Sequence, residues 1–212
     1  TIEPRFRYNQ GFRSAIAIVP SVIALMLIFI PSVLTALSVV REKELGSITN
    51  FYVTPTSKLA FLLGKQIPYV GITMINFLLL VLTAWLIFDV PVKGSLLTLF
   101  TGGLLYAGCT TGLGLFFSAF TKTQIAALAI TAIMTLLPAV QFSGMMQPVS
   151  TLEGTGAFIG SIFPTTHFIT IAKGAFAKDL GFSTLWPSMQ ALLISWPVIL
   201  TASLFFLKKQ EH

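Results

Sequence analysis

The sequence contains few residues of the types that carry out catalysis or bind metals. Its two histidines, His167 and His212, lie far apart, and no set of histidine, cysteine and carboxylate residues has the spacing of a metal site. No GxxxxGK(S/T) phosphate loop is present, so ATP is not bound in the P-loop manner. Cys109 lies in an apolar run and is interpreted as a packing residue. We therefore expect no catalytic residue, metal, cofactor or enzymatic activity in this segment.

The charged residues are concentrated in one passage, residues 41–65, which reads REKELGSITNFYVTPTSKLAFLLGK. It begins with alternating charges, and apolar residues at helical spacing stand on both sides of a turn at Thr54 and Pro55. This pattern predicts an elbow of short amphipathic helices of the kind that lie at a membrane surface. The elbow is either a solvated connector or a docking surface for a cytoplasmic partner.

The composition indicates that the elements on either side of this passage lie in a membrane. Of 212 residues, 55% are hydrophobic and only 9% are charged, and the mean hydropathy is +0.87. A soluble domain carries roughly 25% charged residues, so the low charge of this chain excludes an ordinary soluble globule. Its high hydrophobic content excludes a disordered chain. The net charge of +6 comes from scattered basic residues, which indicates contact with lipid headgroups and no direct contact with nucleic acid.

Six long runs contain no charged residue, and five of them reach the length of about 20 residues that crosses a bilayer. The predicted spans are 14–40, 66–88, 94–121, 123–152 and 180–207. The sequence thus predicts an all-α fold, a polytopic membrane helix bundle with five transmembrane helices.

The sixth run, residues 154–172, predicts a different element. It contains three glycines near its start and Pro164 in its middle. Backbone groups freed by proline must be satisfied by protein or water inside a membrane, so a re-entrant or interfacial helical segment fits better than a sixth span.

The loops indicate the orientation. If residues 41–65 are cytoplasmic, that side holds seven basic residues in short loops, and the other side holds six in longer ones. We therefore expect residues 1–13 outside and the C-terminus inside. Because residues 1–13 resemble no signal peptide, we also expect further chain upstream.

The predicted spans contain no Asp, Glu, Lys or Arg, which argues against a proton-coupled pump. We expect their polar residues to form hydrogen bonds between helices and not to contact a substrate. These residues are Thr73, Asn76, Thr110, Thr111, Thr131, Thr135 and Gln141. The GxxxG spacing at Gly108 and Gly112 indicates either a close helix contact or dimer face, or general packing within the bundle.

Three motifs, in order along the chain, resemble the permease subunits of type-2 ATP-binding-cassette (ABC) exporters. The first is Arg41, Glu42, Glu44, Gly46, Ser47, Thr54, Pro55, Leu63, Gly64, Lys65, Pro68 and Tyr69. The second is Ser118 followed by Thr121, Lys122, Thr123, Gln124 and Ala126. The third runs from Ser143, Gly144 and Pro148 through Phe163, Pro164, Thr165, Thr166, His167 and Phe168 to Lys173, Gly174, Phe176, Lys178, Leu185, Trp186 and Pro187.

The resemblance implies roles for two sets of residues. Coupling to an ATPase is expected at Arg41, Glu42, Glu44, Gly46, Ser47, Thr54, Pro55, Gly64 and Lys65. An extracytoplasmic re-entrant segment with Pro164, Thr165, Thr166, His167 and Lys173 is expected to cap the pathway. The alternative for that segment is a structural plug, in which His167 contacts a backbone carbonyl; for the histidine alone this alternative is preferred.

The resemblance also implies an organisation and partners. Residues 1–212 are one transmembrane permease domain, the C-terminal part of a longer permease, with a coupling elbow at 41–65 and a re-entrant region at 148–187. The expected partners are a nucleotide-binding domain carrying ATP and magnesium, fused or separate, a second permease unit forming a dimer, and the lipid of a bacterial inner membrane. The chain is also similar to the membrane part of fused proteins such as the ribosome-associated ATPase of enteric bacteria.

Two rival functions remain open at this point. One is a membrane anchor or scaffold that tethers a cytosolic, ribosome-associated ATPase, and the other is a secondary transporter or channel. An uncharged interior suits lipids, drugs, polysaccharides or hydrophobic peptides alike, so the substrate is left open.

Overall fold

The computed structural model describes residues 14–46, 57–145, 154–177 and 180–207. Over these ranges its regular structure is entirely helical, as the composition and the hydropathy pattern predict. The helices are α1 (Ser14–Glu44), α2 (Lys58–Leu86), α3 (Leu96–Phe120), α4 (Gln124–Phe142), α5 (Thr155–Ile162), α6 (Pro164–Ala177) and α7 (Phe182–Phe206).

Five of these helices, α1 to α4 and α7, are long and apolar enough to cross a membrane, which confirms the predicted count of spans. α2 begins earlier than expected, because residues 58–65 form its first two turns and not a separate surface helix. The Ser57 hydroxyl accepts a hydrogen bond from the Ala60 N–H at 3.1 Å. This N-cap sets the start of α2 inside the charged passage, which ends at Lys65.

The two ends of the bundle differ in what they contain. The elbow end holds residues 41–46, 57–58, 120–124 and 206–207, where α1, α3 and α7 finish and α2 and α4 begin. The loop end holds the connection from α2 to α3 and the end of α4. We use these two names below.

α3 occupies the centre of the bundle and packs against α1, α2, α6 and α7. Atoms from these helices come within 2.2 to 3.1 Å of the position that a Cβ would take at Gly102, Gly103, Gly108, Gly112 and Gly114. At Gly108 and Gly112 the neighbours include Trp196 and Ile199 of α7 in the same chain. The GxxxG spacing therefore serves packing within the chain.

α5 and α6 together form a re-entrant element. α5 starts beside the end of α4, where a Cβ on Gly156 would lie 3.4 Å from the Phe142 ring. α6 returns to the same end of the bundle, where the Gly94 N–H donates to the Ala175 carbonyl at 2.8 Å. With 8 and 14 residues, the two helices are about 12 and 21 Å long, too short to cross. The predicted re-entrant segment is confirmed. The next span, α7, begins at Phe182.

Several spans keep apolar faces that no part of the described chain covers. The exposed positions of α1 recur every fourth residue, at Ile18, Val22, Met26, Ile30 and Leu34. α4 buries a single face, at Ala127, Thr131, Thr135 and Ala139, and packs it mainly against α1. Only 22% of the most apolar stretch of α2 and 17% of that of α7 is buried. These surfaces require an apolar environment, as helices in a bilayer do.

The polar residues of the spans behave differently from the prediction. Thr73, Thr111 and Thr135 each donate to the carbonyl four residues earlier in their own helix, at 2.6 to 2.7 Å. That carbonyl is always within reach of a helical threonine. Hydrogen bonds between helices include those of Ser32 and Gln66, which donate to α3 carbonyls at 2.7 and 2.8 Å. Gln66 also donates to the Thr111 hydroxyl, so Thr111 takes part in one bond between helices, as predicted.

Candidate functional site

The last turn of α1 carries four consecutive charged residues, Arg41 to Glu44, and three of them, Glu42, Lys43 and Glu44, contact other helices. Successive side chains of a helix point about 100° apart, so those of three consecutive residues are distributed over more than half of the helix circumference. Since α1 packs against α2, α3 and α4, each of the three side chains meets a different neighbour. The contacts are described in turn below.

Glu42 forms an ion pair with Lys65 in the second turn of α2. Both side chains are partly buried, with 34% and 25% of their surfaces exposed. Both residues belong to the predicted coupling set, and the pair joins the two helices on either side of the elbow. A pair at this degree of exposure contributes about 0.2 to 1 kcal/mol, so it orients the helices more than it stabilises them.

Lys43 reaches the end of α3. Its Nζ donates to the Ser118 carbonyl at 2.8 Å and to the Thr121 carbonyl at 3.3 Å. The last carbonyls of a helix have no partner within the helix and lie at the negative end of its dipole. A lysine there supplies hydrogen-bond donors for them and a favourable positive charge.

Glu44 caps the start of α4. Its Oε1 accepts from the backbone N–H of Gln124 at 2.6 Å, and its Oε2 accepts from the side-chain amide of the same residue. Thr123 supplies a second cap by accepting from the Ala126 N–H at 3.3 Å. A carboxylate at a helix N-terminus is favoured by the free N–H groups and the positive end of the dipole.

Gly46 ends α1. Its φ of 70° lies in the left-handed region that favours glycine, and its N–H donates to the Lys43 carbonyl at 3.2 Å. This is the geometry of a helix C-terminus closed by glycine. Arg41, one turn earlier, has an exposed side chain.

A fourth tie joins the start of α2 to the end of α7. Lys58 donates from Nζ to the Leu207 carbonyl at 2.6 Å, again at a helix C-terminus. Gly64 lies nearby on an exposed face of α2, and a Cβ there would meet no atom within 4 Å. The elbow end is therefore held together by charged side chains directed at helix ends.

The structure brings together part of the predicted coupling set and adds residues that the sequence prediction missed. Glu42 and Lys65 are joined, and Arg41, Glu44, Gly46 and Gly64 lie at the same end of the bundle. The remaining predicted residues, Ser47, Thr54 and Pro55, lie outside the described residues. Lys43, Lys58 and Gln124 were missed, because each contacts a residue in or at the end of a different helix and the sequence does not show how the helices pack.

The re-entrant element is anchored at its innermost point. Pro164 is the first residue of α6, and the hydroxyl of the following Thr165 lies 2.9 Å from that of Tyr106. Tyr106 donates to the Ala24 carbonyl of α1 at 3.0 Å and stacks on Phe168 at 4.3 Å. The bend of the element is thus fixed against α1 and α3.

Three further predicted residues of this element have structural surroundings. His167 Nε2 lies 2.9 Å from the Ser161 carbonyl, which is the kind of contact expected in the structural interpretation of the histidine. Lys173 donates to the Gly144 carbonyl at 3.2 Å, and the Thr166 hydroxyl is buried without a hydrogen-bond partner. Among the described residues, no three His, Cys, Asp or Glu side chains are grouped to hold a metal ion.

Comparison with known proteins gives the following relationships. The profile of the family described as "ABC-2 family transporter protein" matches residues 1–205. The chain is 29% identical over 175 residues to the probable multidrug ABC transporter permease YbhS of Escherichia coli, covering 82% of this chain and 46% of that protein. It is 26% identical over 216 residues to the inner membrane transport permease YhhJ of the same species, covering 99% and 56%.

A more distant relative is ABC transporter G family member 20 of Dictyostelium discoideum, 22% identical over 202 residues and covering 94% of this chain and 27% of that protein. The chain thus spans about half the length of the bacterial relatives. No solved structure matches the chain significantly.

Proposed function

Since this chain belongs to the family of ABC-2 transporter proteins, we propose that it lines the translocation pathway of an ATP-driven exporter and receives the work of an ATPase at the last turn of α1. Of the relatives named above, YbhS is described as a probable multidrug ABC transporter permease, YhhJ as an inner membrane transport permease and the Dictyostelium protein as an ABC transporter G family member. Glu42, Lys43 and Glu44 are the residues to which we assign the coupling.

The observation that carries this proposal is the set of contacts made by that turn. A displacement of the elbow acts on α2 through Lys65, on α3 through its final carbonyls and on α4 through Gln124. Three spans are therefore moved together by one short segment. A helix bundle with two packing arrangements can be shifted between them by such a bias, which is a physically adequate basis for alternating access.

The energy source in this proposal is a nucleotide-binding domain, fused or separate, that holds ATP and magnesium. The absence of a GxxxxGK(S/T) loop from the 212 residues supports placing ATP binding outside this segment. The loops on the side of the elbow have the higher density of basic residues. By the positive-inside rule, this supports a cytoplasmic location for the elbow end. The chain is then a multi-pass protein of a bacterial inner membrane.

A second permease unit completes the pathway in this proposal. The uncovered apolar stripe of α1 and the single buried face of α4 support it, because both helices keep surface on which another copy packs. Lipid covers the exposed faces of α2 and α7. The re-entrant element, fixed at Tyr106 and Thr165, closes the extracytoplasmic end.

Reconstitution of the full transporter with its ATPase in lipid vesicles tests the proposal, with ethidium as the transported probe. We expect ethidium accumulation that requires ATP and stops with a non-hydrolysable analogue. Accumulation driven by an ion gradient without ATP would indicate a secondary transporter. ATP hydrolysis without movement of any of several probes, including labelled phospholipid, would indicate an anchor.

A further inference from the structure

Three groups from three helices form a chain of hydrogen bonds at the bend of the re-entrant element. The Tyr106 hydroxyl of α3 donates to the Ala24 carbonyl of α1 at 3.0 Å. A phenol has a single proton to donate, so the Thr165 hydroxyl of α6, 2.9 Å away, is the donor in its contact with the Tyr106 oxygen. The chain therefore runs from α6 through α3 to α1.

Thr165 makes this contact because of its position in α6. It is the second residue of that helix, so the carbonyl four residues earlier belongs to α5 and not to its own helix. Thr73, in the middle of α2, has such a carbonyl and donates to it, at Tyr69, at 2.6 Å. The hydroxyl of Thr165 bonds out of its helix instead, to Tyr106.

The chain of hydrogen bonds is sealed from solvent. Ala24, Tyr106 and Thr165 are each 0% exposed, so water cannot replace a bond that breaks. A buried polar group that loses its partner is costly, and for this reason the bonds favour one relative position of the three helices. α1 also packs directly against α6. The position of α6 is therefore tied to that of α1.

The aromatic rings hold the same element in a different way. Tyr106 stacks on Phe168 of α6 with ring centroids 4.3 Å apart, and Phe168 meets Phe77 of α2 edge-on at 6.2 Å. These ring contacts join α6 to α3 and α2. Of the ring and hydroxyl contacts of Tyr106, the bond to Ala24 is the one that depends on α1.

α1 connects this bond to the coupling turn. Ala24 and Glu44 belong to the same helix, about 20 residues and so about 30 Å apart. The bond from Tyr106 is 3.0 Å long, and a contact longer than about 3.5 Å is no longer a hydrogen bond. Moving Ala24 away from Tyr106 by about 1 Å therefore breaks it, and helices in switching proteins commonly shift by about 1 to 2 Å.

We propose that Tyr106 is the latch of the re-entrant element. Its hydroxyl holds the bend at Pro164 closed in the arrangement seen here, and a shift of α1 releases it. This inference rests on the function proposed above and specifies the residue through which the coupling turn controls the extracytoplasmic end. Tyr106 acts through Thr165, so it is a positioning residue.

Double electron–electron resonance in the full transporter tests the latch. Spin labels replace Phe158 of α5 and Ile194 of α7, which are 68% and 64% exposed, and the buried Cys109 takes up no label. We expect a longer distance to appear in the parent when ATP binds, and in Tyr106→Phe without nucleotide. Loss of one hydrogen bond shifts an equilibrium by about two- to tenfold, and this variant loses two, so its longer-distance population should rise at least about fourfold.

Matched variants separate the hydroxyl chain from a general disturbance of packing. Thr165→Val removes one bond and should raise the longer-distance population by about two- to tenfold, with no further rise when it is added to Tyr106→Phe. Thr165→Ser keeps the hydroxyl, and Thr73→Val removes a buried hydroxyl that is bonded within its own helix, so both should behave as the parent. A further rise in the double variant would overturn the latch.

The remaining outcomes separate the latch from the proposed function. Release in Tyr106→Phe, in a parent whose distances do not respond to ATP, would leave the latch standing and contradict coupling to an ATPase. A response of the parent to ATP, with no release in Tyr106→Phe before nucleotide is added, would overturn the latch alone. Unchanged distances in both experiments would contradict both proposals.

Discussion

At the residue scale, the elbow end is organised by charged side chains that reach helix termini. Lys43 and Lys58 bind the carbonyls that end α3 and α7, and Glu44 binds the N–H group that begins α4. In each case the charge has the sign that the helix dipole favours. The few charges of this apolar chain are thus used where the backbone has unpaired polar groups.

Replacing Lys43 tests this use of charge. Lys43→Met keeps much of the apolar stem but removes the donor, so two carbonyls at the end of α3 lose a charged partner. We expect a loss of about 1.5 to 3 kcal/mol, the usual contribution of a hydrogen bond to a charged group. Thermal unfolding in detergent measures it, and Lys93→Met at the exposed loop end is the control, expected to lie within about 0.5 kcal/mol of the parent protein. Equal unfolding of the two variants would show that the Lys43 contacts contribute nothing.

The central glycines give a second prediction at this scale. A Cβ at Gly114 would lie 2.2 Å from the backbone carbonyl oxygen of Ser32, which cannot move without shifting α1. Gly114→Ala is expected to destabilise the bundle by about 1 to 3 kcal/mol through overpacking. Gly71→Ala is the matched control, since a Cβ there meets nothing within 4 Å, and it should leave stability unchanged or slightly raised. A tolerated Gly114→Ala would mean that α1 and α3 do not approach this closely.

The sequence could predict the residues of this site only in part. Glu42, Glu44 and Lys65 stand out as charges beside long apolar runs, and the structure places them in contacts between helices. The partner of Lys43 could not be predicted, because its carbonyls belong to a helix 75 residues later and depend on how α1 and α3 pack. A charge count gives the side of the membrane but not the direction of a side chain.

At the element scale, hydropathy predicts the spans well, because crossing a bilayer demands a minimum apolar length. The start of α2 was predicted too late, since the uncharged run begins at Gln66 whereas the helix begins at Lys58. Hydrogen bonding, not hydropathy, sets a helix end, and the cap at Ser57 lies in the polar part of the chain. The break between α5 and α6 was predictable because Pro164 stands in the middle of its uncharged run and frees backbone groups that a lipid-facing span could not satisfy.

The re-entrant element predicts a particular labelling pattern. Cysteines at Thr155 and Gly181, both exposed and on either side of the α5–α6 pair, should react with a membrane-impermeant maleimide added outside intact cells. A cysteine at Lys122 should react only after the cytoplasmic side is opened. Cys109 is buried in α3 and provides an unreactive background. Reaction of the positions at Thr155 and Gly181 from opposite sides would mean that this segment crosses the membrane.

At the scale of the whole molecule, the arrangement divides into a rigid centre and an end that can transmit force. α3 is enclosed by four helices and is packed through its glycines, so it has little freedom to move alone. The elbow end is linked by side chains that slide or exchange partners more readily than a packed core does. We propose that force applied there by an ATPase reaches α2, α3 and α4 together.

The ratio of ethidium molecules transported to ATP molecules hydrolysed, measured in reconstituted vesicles, tests that claim most directly. Glu44→Ala removes the link to α4 while leaving the ion pair between Glu42 and Lys65 in place. We predict that this variant inserts in the membrane and hydrolyses ATP at a rate close to that of the parent transporter, but that its transport ratio falls at least about tenfold. The Lys93→Gln variant, altered at the loop end, should keep the parent ratio. An unchanged ratio in Glu44→Ala would contradict the assignment of coupling to the last turn of α1.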